Sequence, residues 1–480
     1  MEKRVDLKLI LAIVAAGLLS FCGVIVETAM NITFPKLMRE FALNTATVQW
    51  MTTAYLLVVA IIVPISAFLK RRFRTKTLFV TANLLFILGL VVDATATSFP
   101  VLVTGRIIQG LGTGIALPLM FNIIIDWAPA RQKGTLMGIG TLITAIAPAL
   151  GPTFGGLIVS WMDWHWIFVL LIPVLVISLV LGLYAIRQAQ PTVKVGFDVV
   201  GWLMIVLLFV GFTIGFSKLA TITTQPLIFV AWLVVGLIGL VGFVIRTRRA
   251  AQQLINLAIF TTKSYDLHLM AYFLVQICAL GLAFILPNYI QLVNGKSALL
   301  AGLFVLPGAA IGAVFAPLGG RILDSLGAAK PVLTGSTILV IAMALFTVLG
   351  MHLSGGLILA IYILLMIGIG LTMGNTMTSG LQQLSAEHQA DGNAVFNTMQ
   401  QFAGAIGTSV VSAVITLVQV QTTGTSAHRT ALGSTMALGL LLILVLIELG
   451  TMILAMKKRQ ARQRKKCYKK IDIVLRRCNL

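Results

Sequence analysis

The sequence predicts an all-α integral membrane protein: two six-helix bundles in parallel repeat with an inserted two-helix hairpin. Three observations predict it. The 480 residues are 59% hydrophobic and 10% charged, against roughly a quarter charged in an ordinary soluble domain. Fourteen apolar stretches are each long enough to cross a bilayer, which takes about 20 residues. A Pro-containing motif recurs at a constant offset of 253 positions. Together these exclude a soluble enzyme, a disordered chain and a disulfide-stapled secreted scaffold.

The first six spans are expected over 9–30, 47–68, 78–97, 101–124, 136–159 and 166–186. Two more follow at 199–219 and 226–245, and six at 269–292, 300–321, 331–351, 356–378, 394–420 and 432–456. Long runs rather than short alternating segments exclude a transmembrane barrel. Met1–Lys8 resembles the charged head of a signal peptide. The apolar run behind it is full length, carries Glu27 and lacks a small-residue cleavage pattern, so it reads as a retained first span.

The repeat divides the chain. Pro64, Ala67, Arg71 and Arg74 correspond to Pro317, Gly320, Asp324 and Gly327. An even number of spans separates the copies, so both share one orientation, as where two six-helix bundles face each other across a central cavity. The expected units are a bundle over 1–190, a hairpin over 191–250, a second bundle over 251–456 and a basic tail over 457–480.

The net charge of +21 could mean nucleic acid, anionic lipid or topology. With a cytoplasmic N-terminus, 29 of the 35 basic residues fall on the inner side and five in outer loops, with Arg106 inside the fourth span. The charge therefore reports orientation, with both termini cytoplasmic in a cell membrane. No nucleic-acid partner is implied. Lys70–Lys76, Arg246–Arg249 and the tail suit contact with anionic inner-leaflet lipid. Cys22 and Cys278 lie in spans, and Cys467 and Cys478 in the tail. No metal-ligand spacing or phosphate-binding loop occurs, so neither metal, cofactor nor ATP hydrolysis is implied.

Four stretches are specific. The fourth span reads Leu102-x-x-x-Arg106-x-x-Gln109-Gly110-x-Gly112. The fifth carries Gly138, Ala147 and Gly151-Pro152-Thr-Phe-Gly155-Gly156. The tenth ends Gly320-x-x-x-Asp324-x-x-Gly327, and the second opens Gln49-Trp50-x-x-x-x-Tyr55. On these the chain resembles the major facilitator superfamily, and within it the fourteen-helix drug:proton antiporter branch, over essentially its whole length. Departures are plain: Ala67, Arg71 and Arg74 stand where the first loop motif has Gly, Asp and Gly, and Glu27 lies one residue beyond the branch's usual acid. Both departures resemble a Gram-positive subgroup of lincomycin-resistance-type exporters.

The resemblance implies proton-coupled export of hydrophobic or amphiphilic, including cationic, compounds by alternating access in a working monomer, driven by the proton gradient. The residues carry a compatible reading. A charge at membrane depth costs at least about 2.5–3.5 kcal/mol, so such groups are usually functional. Glu27 lies about 27 Å along its span at 1.5 Å per residue and could pair with Arg106. Glu27, Arg106 and Glu448 are the expected proton-coupling groups. For Glu27 the alternative is a solvated acid at the outer mouth, and for Arg106 a structural clamp. Glu448 is either a second protonation site or a neutral acid bonded to a neighbouring helix.

Asp93 is expected at a solvated helix end, with a proton carrier as the alternative. Asp126 is expected to latch onto Arg71 or Arg72 in place of the missing loop Asp, and Asp324 to cap its span and touch the next. Gly151, Pro152, Gly155 and Gly156 should bend the fifth span and let a neighbour approach. The cavity should draw on Asn31, Gln49, Tyr55, Gln109, Asn122, Gln276, Asn288, Asn375, Asn397, Gln400 and Gln401, about half facing inward. Trp161, Trp164 and Trp166 should form an aromatic belt. A lipid or glycolipid flippase of the same fold, and a non-transporting scaffold or sensor, stay open as alternatives.

Overall fold

The computed structural model describes residues 6–129, 133–188, 191–193, 196–250, 254–385 and 388–478. Side chains of 458–478 and of much of 133–149 lie outside the described set. The first bundle contains α1 (Leu7–Glu40), α2 (Thr45–Val48), α3 (Trp50–Ile62), α4 (Ser66–Arg72), α5 (Thr75–Ala94), α6 (Phe99–Trp127), α7 (Lys133–Trp161), α8 (Trp166–Val169) and α9 (Leu171–Ala185). The hairpin is α10 (Val199–Ser217) and α11 (Pro226–Arg249). The second bundle contains α12 (Lys263–Leu292), α13 (Ala298–Leu326), α14 (Ala329–Val348), α15 (Gly355–Leu381), α16 (Gln389–Gln421) and α17 (Ser426–Cys478). Among the described residues, thirteen helical segments are long and apolar enough to cross a membrane, and α7 supplies a shorter apolar stretch, Ile146–Trp161.

Local chemistry sets the ends. Asp6 accepts from the Lys8 N–H at 3.2 Å to open α1, and Asn44 from the Thr47 N–H at 2.8 Å to open α2. Gly327, at φ +80°, ends α13 in a conformation that a β-carbon disfavours. The second span is not continuous: Val63–Ile65 forms a 3₁₀ turn at Pro64, whose ring removes a backbone donor. The first span runs about ten residues beyond its expected end, carrying Lys36 and Arg39 on helix. The last helix continues through the basic tail to Cys478.

The contacts repeat between halves. In the first bundle α1 packs on α6, α7 and α9, α6 on α3 and α5, and α5 on α9. In the second, α12 packs on α15, α16 and α17, α15 on α13 and α14, and α14 on α17. Each pairing has its counterpart under the sequence offset. Across the halves α7 meets α13 and α3 meets α16, the same pair exchanged, and α1 meets α12 on the axis. The hairpin leans on the seam through α10, where Phe209 lies 4.5 Å from Phe402 and Trp202 donates to the Ile61 carbonyl at 3.3 Å.

The two ends of the molecule differ. At the end marked by Trp164, Gln49 donates to Thr408 and Ser409 of α16 at 3.2 and 3.3 Å and accepts from Ser412 at 3.3 Å. Gln291 donates to the Ile32 carbonyl at 2.9 Å, and Thr153 to the Gly302 carbonyl at 3.2 Å. Phe34 and Phe284 lie 5.2 Å apart. Among the described residues, the hydrogen bonds that join helices of one bundle to helices of the other all lie toward this end. At the opposite end, marked by Lys70, the lower turns of α13 are largely exposed.

Candidate functional site

Among the described residues Arg106 is the largest buried charged side chain, and it is fully enclosed. It sits seven residues into α6, about 10 Å from the Trp164 end. Its Nη1 donates to Gln109 Oε1 at 2.5 Å and its Nε to the Met51 carbonyl at 3.3 Å. Its guanidinium lies 4.2 Å from the centre of the Tyr55 ring, a close cation–π contact. Tyr55 is held in turn, its hydroxyl donating to the Gly23 carbonyl at 2.9 Å and lying in hydrogen-bond contact with the Thr113 hydroxyl at 3.0 Å. Gln109 completes the chain with its amide donating to Asp93 Oδ2 at 2.6 Å.

The expected direct pair between Glu27 and Arg106 is absent: among the described residues no carboxylate lies within 4.0 Å of the guanidinium. Glu27 is buried all the same, one helical turn beyond Gly23, the residue whose carbonyl holds Tyr55. Asp93 corrects a second expectation. Although it closes α5, it is fully buried rather than solvated, because α5 and α6 touch through Gly89 and Gly105. Among the described residues, Asp93 Oδ1 and Arg106 Nη2 have no hydrogen-bond partner.

The glycine motif of α7 borders this cluster. A β-carbon on Gly151 would collide with Thr28, and one on Gly155 with the Ala29 carbonyl. Both partners adjoin Glu27 on α1. Gly156 turns the other way, where a β-carbon would stand 2.5 Å from the Ala298 carbonyl of α13, and Pro152 meets Gly302. One short motif thus packs α7 against its own bundle and against the other.

Above the site, Trp164 is fully buried and donates to Glu40 at 2.9 Å, so it is not a belt residue; Trp161 is 78% exposed. His165 contacts the Ala96 carbonyl at 2.9 Å and the Asp163 carboxylate, which also pairs with Lys36 at 3.0 Å. Partial burial opposes ionisation of Asp163, but the His165 and Lys36 hydrogen bonds outweigh it and hold its carboxyl down at about 2.

The remaining residues are dispersed. Asn31 accepts from Thr52 at 3.2 Å. Gln276 and Asn288 are buried on α12 and Asn375 on α15, while Asn397, Gln400 and Gln401 are half-buried on α16. Asn288, Asn375 and Asn397 donate to carbonyls of their own helices, and Gln400 accepts from Tyr272 at 2.8 Å. Asn122 lines a small crevice with Ser66, Lys70 and Pro118. Asp126 pairs with Lys70 at 2.8 Å, not with Arg71 or Arg72, because those exposed arginines lie on other faces of the short α4. Asp324 is exposed and, among the described residues, makes no ion pair to α14; Gly320 beside it is open. Glu448 is fully buried and accepts from Ser336 of α14 at 2.8 Å. Among the described residues no group of three His, Cys, Asp or Glu could hold a metal ion.

A family model described as the Major Facilitator Superfamily matches residues 16–408. The chain belongs to the major facilitator superfamily. This is a family of transporters, not of enzymes. Within it, the chain is 37% identical over 401 residues to the lincomycin resistance protein LmrB of Bacillus subtilis, covering 83% of this chain and 84% of that one. It is 27% identical over 420 residues to the multidrug resistance protein B homolog of Mycobacterium tuberculosis, 86% and 77% covered. Among solved structures, a bacterial homolog to the human lysosomal transporter Spinster shares the superfamily fold at TM-score 0.67 and 15% identity, covering 93% of this chain and 96% of that one. The D-xylose-proton symporter does so at 0.64 and 18%, covering 92% and 96%.

Proposed function

We propose that this transporter exports hydrophobic or amphiphilic compounds, cationic ones included, across the cytoplasmic membrane in exchange for protons. The observation that carries the reading is the buried cluster of Arg106, Glu27 and Asp93 at membrane depth, beside the glycine motif that joins α7 to both bundles. A fully desolvated guanidinium with no carboxylate in direct contact is costly to hold. It becomes useful if the balance of nearby charge changes during the cycle. A proton arriving on Glu27, or a cationic substrate beside it, changes that balance. Relatives named for lincomycin and multidrug resistance supply the substrate class. On the basic-residue count both termini face the cytoplasm, so the sealed Trp164 end is the outer one, and the basic tail suits anionic inner-leaflet lipid.

Lincomycin efflux from proteoliposomes is expected to follow an imposed pH gradient, and Glu27→Gln to remove that response while leaving the protein folded. Coupling that survives Glu27→Gln overturns the assignment of the carrier. Accumulation of a labelled lipid in one leaflet, with no drug movement, overturns the substrate class.

A further inference from the structure

The cluster contains one guanidinium and two carboxyls, and that arithmetic matters in a buried site. Arg106 stays protonated under all ordinary conditions, so it can balance one carboxylate. A second carboxylate nearby would leave a net buried negative charge, which low-dielectric surroundings penalise heavily. Glu27 and Asp93 lie on different helices, α1 and α5, and each is tied to the surroundings of Arg106 on α6: Asp93 through Gln109, and Glu27 by its place one turn beyond Gly23, whose carbonyl holds the Tyr55 ring that the guanidinium covers. They are not equivalent neighbours. Asp93 reaches the guanidinium through Gln109, whose amide donates to Asp93 Oδ2 at 2.6 Å while its carbonyl oxygen accepts from Arg106 Nη1 at 2.5 Å. Glu27 makes no hydrogen bond or ion pair among the described residues.

We propose that Asp93 is a second carboxyl of the coupling site, and that Asp93 and Glu27 share one exchangeable proton across Arg106. The inference rests on the export reading for its purpose and on the geometry alone for the shared proton. When Arg106 balances Asp93 through Gln109, Glu27 holds the proton. When the guanidinium turns its free Nη2 to Glu27, the proton there leaves to water and one from water binds Asp93, so the cluster's charge is unchanged. Oδ1 of Asp93 and Nη2 of Arg106, both without partners among the described residues, are the atoms left open for these two steps.

Few other groups can intervene. Against Asp93, α6 presents Arg106, Gln109 and Gly105, and the loop before α8 presents His165, held on the Ala96 carbonyl beside Asp163. On α9 the titratable side chain is Tyr184, at the far end of the helix. Against Glu27, α3 presents Tyr55, α7 presents Gly151 and Gly155, and its own helix presents Cys22.

The test is an infrared titration of the carboxylic C=O band in purified protein across the neutral pH range, which needs no substrate. Wild type is expected to show one titrating buried carboxyl assigned to this site, lost in neither single variant but displaced in both. In Asp93→Asn, Arg106 balances Glu27 alone, so the band's midpoint should fall by about one pH unit or more. In Gln109→Met, which keeps the helix but removes the amide's donor and acceptor, Asp93 loses its donor and the midpoint should rise. A midpoint unchanged in both folded variants overturns the shared proton, since a merely structural Asp93 would lower thermal stability without moving it. If the midpoint moves while proteoliposomes export no lincomycin, the export reading falls and the shared proton stands.

Discussion

Gly105 has no room for a β-carbon: one built there would overlap the Asp93 carboxyl and lie 3.0 Å from the Gly89 carbonyl. Asp93 is therefore pressed onto Gln109 by the closeness of two helices as much as by its hydrogen bond. Gly105→Ala should displace Asp93 and cost about 1–3 kcal/mol, as overpacking of a tight site does. Thermal denaturation in detergent reads this directly. With Asp93→Ala already present the same change should cost little, because the overlapping atoms are gone. Equal costs in both backgrounds would place the clash on the Gly89 backbone instead. Glu27 and Arg106 were legible in the sequence because a charge inside an apolar run stands out at once. Asp93 was not, since it ends such a run and reads as the solvent boundary. Its signal lay one step away, in glycines spaced four residues before Asp93 on α5 and before Gln109 on α6. Such spacing lets backbones approach and encloses whatever side chain sits beside them.

At the scale of elements, the contact between α1 and α7 holds the helix of Glu27 against the helix that reaches the other bundle. Its two glycines differ in what they meet. Gly151 faces the side chain of Thr28, which can be shortened, whereas Gly155 faces the backbone of Ala29, which cannot. Gly151→Ala and Gly155→Ala should each slow transport and lower stability. Thr28→Ala removes Oγ1 but leaves Cβ at 2.8 Å, so it should relieve the first in part and leave the second impaired, read by vesicle efflux alongside thermal midpoint. Rescue of Gly155→Ala by Thr28→Ala would mean that α7 shifts as a whole rather than meeting α1 at these points. Most of this architecture was readable from hydropathy, because lipid forces every span to satisfy its own backbone. Spans and their repeat followed from that constraint. Details that depend on a neighbour did not: the 3₁₀ turn at Pro64, the extra turns of α1 beyond the membrane-length run, and the choice of Lys70 over Arg71 by Asp126 are settled by packing and by the direction a short helix points. The arrangement of polar residues was the least legible, since Asn and Gln can bond their own helix as readily as a neighbour. Asn375 does the first and Gln49 the second.

For the molecule as a whole, the asymmetry of its two ends is what the proposed export cycle must undo. Bonds across the seam gather at the Trp164 end, where Gln49 ties α3's entrance to α16 and Thr45 donates to Gln419 at 3.3 Å. Individually these neutral bonds are worth about 1 kcal/mol or less each, and the seam also relies on close backbone packing around Gly156 and Gly302. A seal built from several weak, local contacts can open without unfolding either bundle, because each bundle keeps its own internal pairings. A cysteine pair at Thr45 and Gln419, in a chain whose four native cysteines are replaced, converts that reversible seal into a covalent one. Oxidation should then stop lincomycin efflux and a reductant should restore it, with each single cysteine variant unaffected by either treatment. The same oxidation should leave binding of drug from the Lys70 side intact, because the cross-link fixes only the Trp164 end, where the described hydrogen bonds between the bundles gather. Efflux that continues at an undiminished rate through the cross-linked protein would mean that substrate leaves without separation of the bundles at this end, and that the two halves do not rock about the seam.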